Sequence, residues 1–89
     1  MNLRQIEIFY AVMRTGSLNQ AAKFLNVSQP TLSQSLKHAE DQLGYLLFNR
    51  VKGRLVPTRE GMLLFEHAQG LMDQLSRFKQ VSVNLHKHA

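Results

Sequence analysis

An 89-residue chain with 44% hydrophobic and 19% charged side chains suffices for one folded domain and is far too short for a large catalytic barrel. Eleven Lys and Arg against six Asp and Glu leave a net charge of +5, which favours an anionic partner such as nucleic acid or an anionic membrane surface. The absence of Cys excludes disulfides, thiolate zinc sites and cysteine nucleophiles; with Arg4, Glu7 and Arg14 interrupting the amino terminus, it points to a soluble protein of a reducing, cytoplasmic compartment. A chain of this size buries only about 60 to 65% of its unfolded surface, so a second copy is an expected source of further burial.

Leu3, Ile6, Phe9, Tyr10 and Met13 recur at helical spacing and predict a first helix ending at Thr15-Gly16. Ser17 is a good N-cap for a short second helix that turns Leu18, Ala21, Ala22 and Leu25 inward. Asn26 tolerates the left-handed conformation that stops it, Val27 turns inward, and Ser28 caps a third helix with Pro30 in its first turn. Over 28–43, Leu32, Leu36, Ala39 and Leu43 share one face of that helix. The opposite face then carries Pro30, Thr31, Gln34, Lys37, His38 and Asp41, with Ser33 at its flank, a surface suited to a hydrogen-bonding partner.

Beyond Gly44 the helical spacing gives way to Tyr45, Leu46, Leu47 and Phe48, then Val51, Leu55 and Val56. A β-hairpin is the simplest reading, with Lys52-Gly53 between its strands, Arg50, Lys52 and Arg54 at or near the tip, and Pro57 ending it. Thr58 caps a fourth helix that can run from Arg59 to about Leu85, roughly 40 Å, with His86 to Ala89 expected as a disordered tail. In heptads, Leu64, Leu71, Phe78 and Leu85 form one seam and Gly61, Ala68, Leu75 and Ser82 the other. Leu64, Ala68, Leu71, Leu75 and Phe78 are accordingly expected to join two copies in a homodimer, small Ala68 and Ser82 allowing close approach. The alternative is that Met62, Leu64 and Phe65 only close the core while the rest frays.

Two short helices joined by a three-residue turn, the second with a polar outer face, make a helix-turn-helix, with an ordinary three-helix bundle as the rival. The cationic hairpin beside it favours a mainly α, winged helix-turn-helix followed by a long carboxy-terminal helix. The division expected is a winged helix-turn-helix over 1–57 and a dimerisation helix over 58–89.

The run from Leu3 through Gly61 closely resembles the amino-terminal DNA-binding domain of LysR-type transcriptional regulators of bacteria. The matching stretches are TGS, QAA, VSQPTLS, E-x-x-LG, LF-x-R and VPT-x-x-G, in the family's order and spacing. The resemblance implies a recognition helix over 28–43 in the major groove, a wing over 47–57 on the DNA backbone or minor groove, and a linker helix over 58–85 that pairs antiparallel with its mate. It also implies double-stranded DNA carrying an interrupted inverted repeat as partner, and an effector-binding carboxy-terminal domain absent from this chain.

The family's base-reading positions match Gln29, Pro30, Thr31 and Ser33. Gln can pair bidentately with adenine, and Pro30 and the Thr31 methyl can touch a thymine methyl. Ser33 and Lys37 match positions that meet phosphate or base, Arg50 matches a wing Arg that grips the backbone, and Arg54 fits a wing Arg that reaches the minor groove. Gln34 departs from the Arg frequent at its position, and Thr31 from the usual Ala or Ser, which bears on the base sequence preferred. Ser28, with Lys52 at the hairpin tip, completes the expected DNA-binding set; the bland readings are helix capping for Ser28 and Gln29 and a solvated tip for Lys52 and Arg54.

Other chemistry is poorly provided for. His38, His67, His86 and His88 have no carboxylate or thiol cluster around them, so no metal or cofactor is expected. Ser28, Ser33 and His38 lie on one helix without an acidic orienter, so the chain is not read as an enzyme. The competing reading is a protein-interaction module built on the long helix, its basic surface incidental; a membrane-surface or RNA-binding domain drawn by charge alone is weaker still.

Overall fold

The helices start and stop where the polar punctuation of the chain dictates. In the computed structural model, which describes residues 1–52 and 54–87 and the backbone of His88, the order is α1 (Leu3–Thr15), α2 (Leu18–Leu25), α3 (Gln29–Leu43), β1 (Phe48–Val51), β2 (Arg54–Pro57) and α4 (Arg59–His88). Asn2 and Gln5 form a reciprocal capping box: the Gln5 N–H donates to Asn2 Oδ1 at 2.8 Å and the Asn2 N–H to Gln5 Oε1 at 2.9 Å. Ser17 accepts the Gln20 N–H at 3.2 Å to open α2, and Ser28 accepts the Thr31 N–H at 3.3 Å to open α3. Asn26 ends α2 in the left-handed region at φ 58°, which reverses the chain within three residues and sets α3 across α2.

Helices α1, α2 and α3 close on one another around Phe9, Val12 and Leu32, with Ala21 and Ala22 small enough for α2 to lie close to its neighbours. Leu47 and Phe48 continue this core into the base of the hairpin, where the Phe48 ring stands 5.8 Å from that of Phe9. The hairpin is antiparallel, Arg50 facing Leu55 and Val51 facing Arg54. Lys52 adopts the positive φ, 52°, that two-residue hairpin loops require; Gly53 lies outside the described residues. The first part of α4 covers α1 through Leu64, Phe65 and Ala68, and its remainder projects, giving principal extents of 54 × 26 × 20 Å.

Several expectations are revised. Leu3 is exposed, whereas Ile8 and Val12 are buried, because α1 is covered by α2 and α3 on one side and by α4 on another; a single stripe does not describe a helix enclosed from two directions. Met62, which the alternative reading of α4 placed in the core, is exposed. α4 continues to His88 rather than stopping near Leu85, so His86 and Lys87 belong to the helix; Ala89 lies outside the described residues. Gly61 is not a seam position. It is buried where α4 passes the hairpin, and a Cβ there would overlap the Leu47 carbonyl oxygen.

Candidate nucleic-acid interface

The first turn of α3 stands outward. Ser28, Pro30, Thr31, Gln34 and Lys37 are exposed, and Gln29 and Ser33 are half-buried. Ser28 Oγ donates to Thr31 Oγ1 at 2.8 Å while it caps the helix, so the structural role of Ser28 is real. Gln29 Nε2 donates to Ser33 Oγ at 2.7 Å, which aligns two of the expected base-reading side chains one helical turn apart.

The hairpin delivers its cations to the same side. Gln29, Arg50 and Arg54 line a cleft of about 530 Å³ together with Ser17 and Asn19 at the start of α2. Ser33, Lys37 and Arg50 line an adjoining cleft of about 320 Å³ between α3 and the hairpin, with Glu40 and Asp41 at its edge. Leu18, Arg50 and Leu55 line both, and Arg50 is the cation they share. Lys52 is exposed at the tip and lines neither cleft. Among the described residues the one salt bridge joins Arg4 to Glu7, so Lys37, Arg50, Lys52 and Arg54 are not tied to carboxylates there. A concave surface with unpaired cations, hydroxyls and an amide is chemically suited to phosphates at its rim and hydrogen-bonding base edges at its centre.

Sequence reasoning passed over Ser17 and Asn19 as parts of this surface, Ser17 having been noticed only as a cap. It matched Glu40 without assigning it a task; one carboxylate oxygen of Glu40 accepts the backbone N–H of Leu47 at 2.6 Å and of Phe48 at 3.2 Å. Thr58 works from the other side: its hydroxyl lies 2.8 Å from the Leu46 carbonyl oxygen and 3.2 Å from that of Leu47, and accepts the Gly61 N–H at 2.9 Å. The base of the hairpin is therefore fixed by α3 through its amides and by the start of α4 through its carbonyls.

The five residues expected at a dimer seam do not share one environment. Ala68 is only 6% exposed, packs in this subunit's own core and lines an apolar groove beside Leu71. Leu64 packs against the same core, Leu75 is half-buried, and Leu71 and Phe78 are exposed. With Val81 and Leu85, the last two make an apolar strip along the projecting part of α4. Among the described residues, no three His, Cys, Asp or Glu side chains are grouped to hold a metal ion, and no helix is long and apolar enough to cross a membrane.

Fold and surface together define a winged helix-turn-helix of the kind that presents one helix to DNA. Residues 3–62 match the model of bacterial regulatory helix-turn-helix proteins of the lysR family. The chain belongs to that family: it is a DNA-binding domain of a LysR-type transcriptional regulator, and its homologues are regulators, not enzymes. It is 54% identical over 85 residues to the HTH-type transcriptional regulator AdmX of Serratia plymuthica, covering 96% of this chain and 28% of that protein. It is 48% identical over 85 residues to the transcriptional activator protein LysR of Escherichia coli (strain K12), covering 96% of this chain and 27% of that one. The crystal structure of the BenM DNA-binding domain in complex with catB site 1 DNA superposes with a TM-score of 0.86 at 28% identity, covering 96% of each chain. The chain thus spans under a third of the length of the curated relatives it matches.

Proposed function

We propose that this chain sets α3 into the major groove of double-stranded DNA, with its hairpin as a wing against the adjoining backbone and minor groove. What supports the reading is the convergence of Gln29, Arg50 and Arg54 on one open cleft, with Ser33 and Lys37 on the next and no salt bridge holding the cations among the described residues. Gln29, Pro30, Thr31 and Ser33 read base edges, while Ser28, Gln34, Lys37, Arg50, Lys52 and Arg54 hold backbone or flanking groups. Residues 1–57 act as the reading head and 58–89 as a linker arm.

The arm joins two copies into a homodimer that occupies an interrupted inverted repeat. The exposed strip of Leu71, Phe78, Val81 and Leu85 supports this role; Leu64 and Leu75 serve at its margin. Small-molecule control belongs to a carboxy-terminal effector-binding domain in a longer protein, working in the cytoplasm.

Titration of labelled duplex DNA at several salt concentrations tests the reading. A dimer neutralising ~8 phosphates gives a logarithmic salt slope of about −7 on its preferred sequence, and a slope near zero removes DNA as the partner. Selection from a random duplex pool supplies that sequence. Recovery of no inverted repeat refutes the paired mode of binding.

A further inference from the structure

The wing has almost no core of its own. Phe48 is the one fully buried residue of its strands; Asn49, Arg50, Val51, Arg54 and Val56 are exposed, and two four-residue strands are too little to hold an orientation unaided. What fixes the wing's angle must lie at its base, where Leu47 and Phe48 are buried and where Glu40 of α3 accepts both of their amide protons. Those bonds are charge-assisted, which makes them about twice as strong as neutral ones. Glu40 also lies on α3 itself, three turns beyond Gln29, so the hydrogen bonds tie the wing directly to the helix that carries the base-reading side chains.

Resting on the DNA-binding reading above, we propose that Glu40 is the positioning residue of the wing: its carboxylate sets the hairpin's angle to α3 so that Arg50, Lys52 and Arg54 meet phosphates while α3 occupies the groove. Glu40 touches no DNA in this role. Its effect has the opposite sign from its charge, because removing a carboxylate beside a polyanion would by electrostatics alone strengthen binding. Thr58 holds the carbonyl side of the same segment, so the wing is gripped between α3 and the start of α4.

The test uses the 89-residue chain and a random-sequence duplex of about three helical turns. Glu40→Ala is expected to weaken binding about tenfold or more and to flatten the salt slope by about 2 to 3 per protomer, the share of the three wing cations. Glu40→Gln keeps one acceptor oxygen and recovers part of both losses. In a background carrying Arg50→Ala, Lys52→Ala and Arg54→Ala together, adding Glu40→Ala changes affinity little, since the wing it positions has no cations left.

Tighter binding by Glu40→Ala, equal losses for the Ala and Gln variants, or a full additional loss in the triple background would each overturn the assignment. Amide exchange at Leu47 and Phe48 gives a readout without DNA: it accelerates at least tenfold in Glu40→Ala relative to α1 amides if the clamp is as described, and unchanged protection refutes it. If the unaltered chain binds no duplex at any salt concentration, the DNA-binding reading falls, whereas unchanged exchange defeats the clamp alone.

Discussion

Gln29 Nε2 donates to Ser33 Oγ at 2.7 Å across one turn of α3. A side-chain amide has two N–H donors and a carbonyl acceptor, so this bond leaves one donor and the acceptor free, the pair that a bidentate contact with adenine needs. Ser33 therefore restrains the Gln29 side chain before DNA arrives, which lowers the ordering cost of binding. Gln29→Ala is expected to cost about 1 to 3 kcal/mol on the selected duplex and much less on random sequence. Ser33→Ala should cost less than Gln29→Ala and leave the adenine read by Gln29 unchanged. Anisotropy titrations on both duplexes decide this, and equal losses on the two would show that Gln29 reads no base.

Arg50 lines both clefts and belongs to the wing, not to α3. It is expected to grip phosphate, a contact indifferent to sequence. Arg50→Ala should weaken selected and random duplex alike and reduce the magnitude of the salt slope by about 1 per protomer. A loss confined to the selected sequence would make Arg50 a base reader.

Two glycines of α4 make a controlled comparison. At Gly61 a Cβ would overlap the Leu47 carbonyl oxygen, and that oxygen is held in place by the Thr58 N–H at 3.0 Å. At Gly70 a Cβ meets nothing within 4 Å. Gly61→Ala should therefore destabilise the fold by about 1 to 3 kcal/mol, through overpacking against backbone that cannot yield. Gly70→Ala should stabilise it by up to about 1 kcal/mol, the difference in helix propensity. Urea denaturation of both variants reports the signs, and a neutral Gly61→Ala would mean that α4 and the hairpin are not so closely apposed.

The contrast between these glycines also marks what the sequence could reveal. Caps such as Ser17, Asn26 and Ser28 act on neighbours within three or four residues, so their positions and the elements they bound were legible from local chemistry. The inward face of α3 was equally plain, since Leu32, Leu36 and Ala39 repeat at one helical period against one neighbouring layer. Gly61 fell on a heptad repeat by coincidence; its cause is a backbone contact with Leu47, fourteen positions earlier in the chain. The task of Glu40 was hidden for the same reason, as its partners become neighbours only after the chain reverses beyond Gly44. Ser17 and Asn19 join the cleft of Gln29, Arg50 and Arg54 only once α2 and the hairpin are brought together by the fold, which no local pattern encodes.

The apolar residues of α4 divide by what already covers them, and this separates assembly from folding. Ala68 is 6% exposed and packs on its own subunit's core, whereas Leu71 is 47% and Phe78 73% exposed. Beside Leu71, Met1, Ile6, Phe9, Leu43, Leu64 and Ala68 line an apolar groove of about 270 Å³ that a large side chain of a second copy could enter. The double variant Leu71→Glu, Phe78→Glu should leave the helical content and core intact while converting dimers to monomers, because charges placed at a paired apolar strip lose their hydration. Ala68→Glu should instead lower the stability of the subunit itself by several kcal/mol, since it buries an unpaired carboxylate in the core. Sedimentation equilibrium with circular dichroism separates the two. A double Glu variant that still sediments as a dimer would place the interface elsewhere on the molecule.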